Sequence, residues 1–273
     1  MKRYVISAIA AAAMLVGTAA HAGAFILAGT DADDHGGVSA GVNQTGWEFM
    51  QKALQNLAPN VTNGNQVVTI LGSTSGALTA ASSAFNLSTL VGAGWTLQTI
   101  GTADFGAFFG NSGAFALTGA AASGILMMDS GNNIGGGVDD SNYNAVATAI
   151  DTFIDNGGGL FSQANGYSWL NALLPSLGVT LLQDTGLAVT AAGATAFPGL
   201  TNADLSSGPW HNYFTNVGAL NVFATSTNGS NQSVIIGAVT GSITNPGRIP
   251  EPTTVALVGL ALLGAAAARR KGA

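Results

Sequence analysis

The chain has 273 residues, enough for one large domain or two small ones, and only 7% are charged, against about 25% in an ordinary soluble domain. With 47% hydrophobic residues the chain is too apolar to be disordered. The absence of cysteine excludes disulfides, thiolate nucleophiles and zinc–thiolate sites.

The first 22 residues have the pattern of a secretory signal peptide. Lys2 and Arg3 form a basic start, residues 5–16 are apolar and rich in alanine, and Ala20-His21-Ala22 is a small-residue cleavage site. A short buried helix is the alternative interpretation. We predict export, with a mature chain that begins near Gly23.

The body of the protein, residues 23–247, is strongly acidic. It carries twelve of the thirteen acidic residues and a single basic residue, Lys52, so its charge is about −11 rather than the −6 of the full sequence. Such a surface repels nucleic acid and anionic lipid and attracts divalent cations. We therefore expect no nucleic-acid partner.

Apolar runs in the body predict a series of buried strands. They cover residues 24–29, 66–71, 95–100, 124–129, 160–164, 178–182, 220–225 and 233–239. Continuous apolar strands that alternate with amphipathic helices are typical of a parallel sheet covered on both faces. We predict one doubly wound α/β domain with a mostly parallel sheet, in which the later strands are partly antiparallel.

The helices between these strands follow from periodicity and caps. Thr45 and Glu48 have capping-box spacing and predict a helix with Trp47, Met50, Leu54 and Leu57 on one face. Further helices are predicted at 80–91 and 169–174. A helix with Tyr143, Val146, Ile150, Phe153 and Ile154 on one face is predicted to end at the glycines 157–159.

Residues 149–179 read as a helix, a triple glycine, a strand, a sharp turn and a second helix. This pattern resembles the class I glutamine amidotransferase-like fold, a flavodoxin-like architecture that includes relatives of the trehalose-utilisation type. The resemblance implies a nucleophile elbow near Gln163-Ala164-Asn165. An amidotransferase has a cysteine there, and this chain has none.

A serine nucleophile is the remaining catalytic hypothesis for this segment. Ser162 or Ser168 would act with His211 as base. Neither His35 nor His211 follows the His-x-Glu pattern of an amidotransferase triad, and Ser168 fits equally well as the cap of a helix that starts at Trp169. The sequence therefore predicts no catalytic residue.

Acidic residues follow the first and fourth predicted strands, whose carboxyl ends share one edge of a parallel sheet. Oxygen ligands beside glycine-rich turns would suit Ca²⁺, since clustered carboxylates repel one another without a cation. The alternative is that they cap helices and form turns. The candidate ligands are Asp31, Asp33, Asp34, Asp129, Asp139 and Asp140.

An aromatic cluster offers a second ligand contact. Trp210-His211-Asn212-Tyr213 contains a ring suited to stacking on a sugar, although such groups are more often local core. We take His35, Trp210 and His211 as a possible ligand edge.

The C-terminal segment, residues 248–273, has three parts. Pro250-Glu251-Pro252 precedes an uncharged run, 253–268, which as a helix would span about 24 Å, close to a bilayer core of about 30 Å. Arg269, Arg270 and Lys271 then act as a cytoplasmic stop-transfer signal. The sequence predicts a single transmembrane helix.

This order resembles the PEP-CTERM sorting tag. The resemblance implies a bacterial envelope protein that is anchored transiently in the membrane, processed by an exosortase near Pro250-Glu251-Pro252 and passed to the cell surface or outside, often in bacteria that make exopolysaccharide.

Two functions remain open for the body. One is a non-catalytic surface or matrix domain that binds glycan or cation. The other is an unusual hydrolase of exopolysaccharide or cell-wall material, with carboxyl groups as general acid and base.

Overall fold

The structure is a computed structural model that describes residues 23–130, 135–164, 166–172 and 174–238. The predicted signal peptide, the sorting motif, the transmembrane run 253–268 and the stop-transfer residues all lie outside the described residues.

The first six strands are β1 (Phe25–Ala28), β2 (Gly36–Ser39), β3 (Val42–Thr45), β4 (Val67–Leu71), β5 (Thr96–Ile100) and β6 (Ile125–Ser130). The later strands are β7 (Gly159–Ala164), β8 (Gly178–Thr185), β9 (Leu187–Val189), β10 (Pro209–Thr215), β11 (Asn221–Ser226) and β12 (Ser233–Ala238).

The α-helices are α1 (Gly46–Leu57), α2 (Ser75–Asn86), α3 (Thr89–Gly92), α4 (Phe105–Phe109), α5 (Asp140–Asn144), α6 (Ala147–Asp155), α7 (Ala191–Ala196) and α8 (Asn202–Leu205). Short 3-10 turns cover Ala58–Asn60, Thr102–Asp104, Gly113–Phe115, Ala120–Ala122 and Ser168–Ala172.

Ten of these strands form one mixed sheet in the order β5-β4-β6-β7-β1-β12-β10-β8, with β11 paired to β12 and to β9. The five strands from β5 to β1 are parallel, and β12, β10 and β8 continue the sheet in antiparallel pairs. The predicted mixed α/β domain with a mostly parallel central sheet and later antiparallel strands is therefore confirmed.

Both faces of the central sheet are buried, as continuous apolar strands require. Alternate residues of β1 belong to two separate core clusters, with Ile26 on one face and Phe25 on the other. The first cluster packs under α1 and α2, and the second under α5 and α6. The hydrophobic runs of the sequence thus fix a three-layer arrangement.

Several predicted helices have different ends or caps. Thr45 makes no capping hydrogen bond to α1. Instead its hydroxyl donates to the His35 carbonyl oxygen over 2.7 Å, so the predicted capping box is wrong. The helix predicted at 80–91 is divided between α2 and α3, and the helix face from Tyr143 to Ile154 is divided between α5 and α6.

Two strand regions differ from the sequence interpretation. The Trp210–Tyr213 cluster belongs to β10, where burial alternates along the strand. The β2–β3 hairpin forms a separate two-stranded sheet and was not predicted. Its two strands contain few apolar residues, and these do not alternate clearly with polar ones, so the local pattern does not predict strands.

Candidate functional site

Three parallel strands bring their carboxyl ends side by side at one edge of the sheet. β7 lies between β1 and β6, and its Gln163 is the register partner of Ala28 on one side and Asp129 on the other. The loop after β1 therefore begins beside the end of β6. The acidic residues of these two segments meet at one edge, as the parallel sheet predicts.

Asp33 and Asp129 form a buried acidic pair beneath this edge. Each is 4% exposed, and Asp33 Oδ1 accepts a 2.7 Å hydrogen bond from Gln163 Nε2. Burial raises the pKa of Asp33 to about 6; the charge of Asp34 adds to the rise, and a hydrogen bond with Asp129 opposes it. Asp33 is therefore partly protonated at mildly acidic pH.

Both histidines of the body converge on one carboxylate oxygen. Nε2 of His211 lies 2.8 Å from Asp31 Oδ2, and Nε2 of His35 lies 3.5 Å from the same atom. The hydrogen bond to Asp31 raises the pKa of His211, while partial burial opposes the rise. Asp31 and the two histidines are named here the histidine–aspartate cluster, and within it His211 holds its proton more tightly than an unperturbed histidine does.

Strand β10 positions His211 in this cluster. Gly29 accepts backbone hydrogen bonds at its carbonyl oxygen from His211 and from Asn212, over 2.6 and 3.1 Å. Thr30 and Trp210 form an isolated antiparallel bridge beside them. The loop after β1 is thus held directly against β10, which brings the imidazole of His211 to Asp31.

The other predicted metal ligands have local structural roles. Asp139 is exposed and caps α5, since its Oδ1 accepts from Ser141 N over 2.7 Å; hydrogen bonds from the side chain and the backbone of Ser141 lower its pKa. Asp140 accepts from Ser168 N over 2.7 Å. Asp34 is exposed in the turn that its backbone N–H forms with the Asp31 carbonyl oxygen. Its pKa is raised mainly by partial burial.

No group of three or more His, Asp or Glu side chains within the described ranges has an arrangement that could hold a metal ion. Asp139 and Asp140 make hydrogen bonds that belong to caps and turns, which is the alternative that the sequence left open. A calcium site that uses all six aspartates stays a prediction from the sequence.

The possible ligand edge is only partly accessible. Trp210 is 0% exposed and packs edge-on against Tyr213, so its ring is not placed to stack on a sugar. His35 remains a third exposed. It lines a small cleft, of about 10 Å³, together with Asp31, Asp204 and Ser207. Asp204, which the sequence did not single out, is held by Thr201 in the capping box of α8.

The serines proposed as nucleophiles do not meet a base. Ser162 is buried within β7, and among the described residues its hydroxyl has no hydrogen-bond partner. The Ser168 hydroxyl accepts a hydrogen bond from Asn144. At the predicted elbow, Gln163 donates to Asp33 rather than presenting a reactive atom, and residue 165 lies outside the described ranges.

Within the residues that the structure covers, no helix is long and apolar enough to cross a bilayer. No protein of established function and no solved structure shows significant similarity to the chain, so nothing beyond the mixed sheet supports the amidotransferase-like resemblance. One family model, described as the PEP-CTERM protein-sorting motif, matches residues 248–271. This match confirms the predicted tag and supports an exported protein that an exosortase sorts to the cell envelope.

Proposed function

We propose that this is an exported envelope protein whose α/β domain is a non-catalytic surface or matrix module that binds a glycan. The single observation that carries the sorting part is the PEP-CTERM motif over residues 248–271, which follows the predicted export signal in the same chain. Its partners are an exosortase and, transiently, the membrane.

The side chains at the acidic edge favour a non-catalytic domain over an acyl-transfer enzyme. Ser162 is buried without a partner for its hydroxyl, the Ser168 hydroxyl accepts from Asn144, and Gln163 stands where an elbow nucleophile would be. A nucleophile needs a base within hydrogen-bond reach, and neither candidate serine has one in the described ranges.

Processing of the tag tests the sorting proposal. In the native host, Glu251→Ala is expected to leave the full-length form in the membrane fraction, whereas the wild type is shortened and released. Thr244→Ala, just before the matched segment, serves as the matched control and should be processed normally. Immunoblots of membrane, surface and medium fractions read both outcomes. Normal processing of Glu251→Ala would overturn the proposal.

The hydrolase alternative has one observation in its favour, the cleft lined by Asp31, His35 and Asp204. Its test is the release of reducing ends from host exopolysaccharide by the purified full chain. Release that disappears in Asp31→Asn would establish the hydrolase and overturn the non-catalytic proposal. The proposal expects no release from either protein.

A cation at the acidic edge is the remaining part of the sequence prediction. If calcium binds there, it should raise the melting temperature of the wild type more than sodium chloride of equal ionic strength does, because a bound ion stabilises the folded state by mass action. Asp129→Asn should remove that difference. Equal melting temperatures in the two salts would end the calcium hypothesis.

A further inference from the structure

A second groove lies at the opposite edge of the sheet, where parallel strands begin. Its walls come from the segments before β4, β6 and β7, together with the end of α4 and one face of α6. Its volume is about 330 Å³. The polar and aromatic lining consists of Asn63, Asn111, Thr152, Asn156, Phe109 and Phe153, and alanines complete it.

The lining of this groove is uncharged, although the body of the protein carries about −11. Amides and a hydroxyl offer donors and acceptors without charge, and two phenylalanines offer apolar surface. A polyanion would approach a strongly acidic protein and find no basic group here, which disfavours it. The chemistry fits a neutral ligand with many hydroxyl groups and an apolar ring face.

Two of the asparagines hold the walls in place. Asn63 accepts from Asn65 N over 3.0 Å and donates to the Ser123 carbonyl oxygen over 2.9 Å. Asn111 Oδ1 accepts from Ala121 N over 2.8 Å. These contacts tie three separate loops together, so the groove is already formed without a ligand. Binding therefore costs little conformational entropy.

Asn156 and Phe109 are the groups placed to contact a ligand. Asn156 is exposed at the end of α6, so its side-chain amide is open to solvent. Phe109 is half-buried and stands edge-on to the buried Phe108, with ring centroids 5.1 Å apart. An exposed amide and a supported aromatic ring on the walls of one groove match the hydroxyl groups and apolar face of a sugar.

We propose that this groove binds a neutral saccharide unit, stacked on Phe109 and hydrogen-bonded to the amide of Asn156. The inference rests on the proposed function, a domain that binds glycan. It places the site at the amino edge of the sheet, away from the ligand edge of His35, Trp210 and His211 that the sequence suggested.

Titration of the full chain with neutral oligosaccharides tests the groove. The protein is kept in a zwitterionic detergent without a sugar headgroup, and the probes are cellohexaose, maltohexaose, mannohexaose and, as the anionic comparison, hexagalacturonate. Calorimetry and saturation-transfer NMR measure binding. At least one neutral probe should bind and hexagalacturonate should not.

Variants then locate the site. Asn156→Ala and Phe109→Ala should each weaken binding of the neutral probe about tenfold. The matched controls are Asn86→Ala, an exposed asparagine at the end of another helix, and Val91→Ala, an exposed apolar residue on α3. Both controls should bind like the wild type. Melting curves confirm that each variant is folded.

The possible failures are distinct. Binding that both groove variants retain in full would overturn this site and leave the glycan-binding function standing elsewhere on the domain. Absence of binding to every probe at millimolar concentration would overturn both the site and that function. Binding of hexagalacturonate alone would overturn the neutral-saccharide assignment.

Discussion

Nε2 of His211 lies 2.8 Å from Oδ2 of Asp31, although 180 positions separate the two residues in the sequence. β12, which separates β1 from β10 in the sheet, begins at Ser233. Beyond that residue the loop after β1 meets β10 directly, through the Thr30–Trp210 bridge, and the contact forms there. It joins the parallel half of the sheet to its antiparallel half. The protonation state of His211 therefore affects how firmly the two halves are held together.

Because the hydrogen bond to Asp31 raises the pKa of His211 in the folded state, the folded protein holds this proton more tightly than the unfolded chain does. The stabilisation is complete below the ordinary histidine pKa of about 6.5 and is lost as the pH rises through the folded value. His211→Gln should lower the free energy of unfolding by about 1 kcal/mol at pH 6, and by less at pH 9. Urea titrations at the two pH values measure this.

His35 provides the matched control for that experiment. Its Nε2 lies 3.5 Å from the same oxygen, and its side chain is 33% exposed against 13% for His211. Longer and more exposed charge contacts contribute little, so His35→Gln should lower the free energy of unfolding much less. An equal loss in the two variants would mean that the 2.8 Å contact has no special role.

Much of the central sheet can be predicted from the sequence because its signals are local. The apolar runs that became β1, β4, β6 and β7 are buried on both faces and need no partner to be recognised. The placement of Asp33 beside Asp129 then follows from the rule that parallel strands end at one edge.

The remaining relationships are non-local and leave no such pattern. The contact of His211 with Asp31 depends on where β10 joins the sheet, which a linear sequence does not show. Thr45 has the spacing of a helix cap, yet tertiary contact with the His35 carbonyl oxygen replaces that bond. The groove at the amino edge combines asparagines from separate loops, and a single loop asparagine has no distinguishing signal.

The raised pKa of Asp33 predicts a second pH effect, in which the folded state is more stable at low pH. Its pKa rises from 3.8 to about 6 on folding, mainly through burial, so between these values the folded state binds a proton that the unfolded chain has released. Stability should fall as the pH rises from 4 to 7, by on the order of 2–3 kcal/mol. Asp33→Asn mimics the neutral acid and should be more stable than the wild type at pH 8.

Chemical denaturation of both proteins at pH 4 and pH 8 tests this. The two proteins should differ little at pH 4, where Asp33 itself is protonated. Asp104→Asn, a substitution of an exposed aspartate in a 3-10 turn, is the control and should follow the wild type. A destabilised Asp33→Asn at pH 8 would show that the ionised carboxylate is required, as it would be beneath a bound cation.

Tyr167 should contribute to stability through its hydroxyl. The group lies 2.8 Å from the Ser162 carbonyl oxygen, 2.9 Å from that of Ala28 and 3.1 Å from Ala28 N, so it links β1 to β7 in the core. Tyr167→Phe removes these contacts from a buried position and should cost about 1–3 kcal/mol. Tyr213→Phe is the matched control, since Tyr213 is half-buried on β10. Equal urea midpoints for the two variants would contradict this role.

Among the glycines near the histidine–aspartate cluster, Gly29 should tolerate a larger residue least. A Cβ at this position would collide with the carbonyl oxygen of Asn212, and that backbone cannot move without displacing β10. Gly29→Ala should therefore destabilise the protein by about 1–3 kcal/mol and separate His211 from Asp31. Thermal melts measure the first effect, and the histidine titration followed by NMR measures the second, as a return of the His211 pKa toward its ordinary value.

Gly37→Ala separates this collision from a general effect of replacing glycine. A Cβ on Gly37, in β2, would meet no atom within 4 Å, and its backbone is not in the left-handed region. It should leave both the melting temperature and the His211 titration unchanged. Destabilisation by Gly29→Ala with an unchanged His211 titration would contradict the argument, because it would mean that β10 does not hold the imidazole against Asp31.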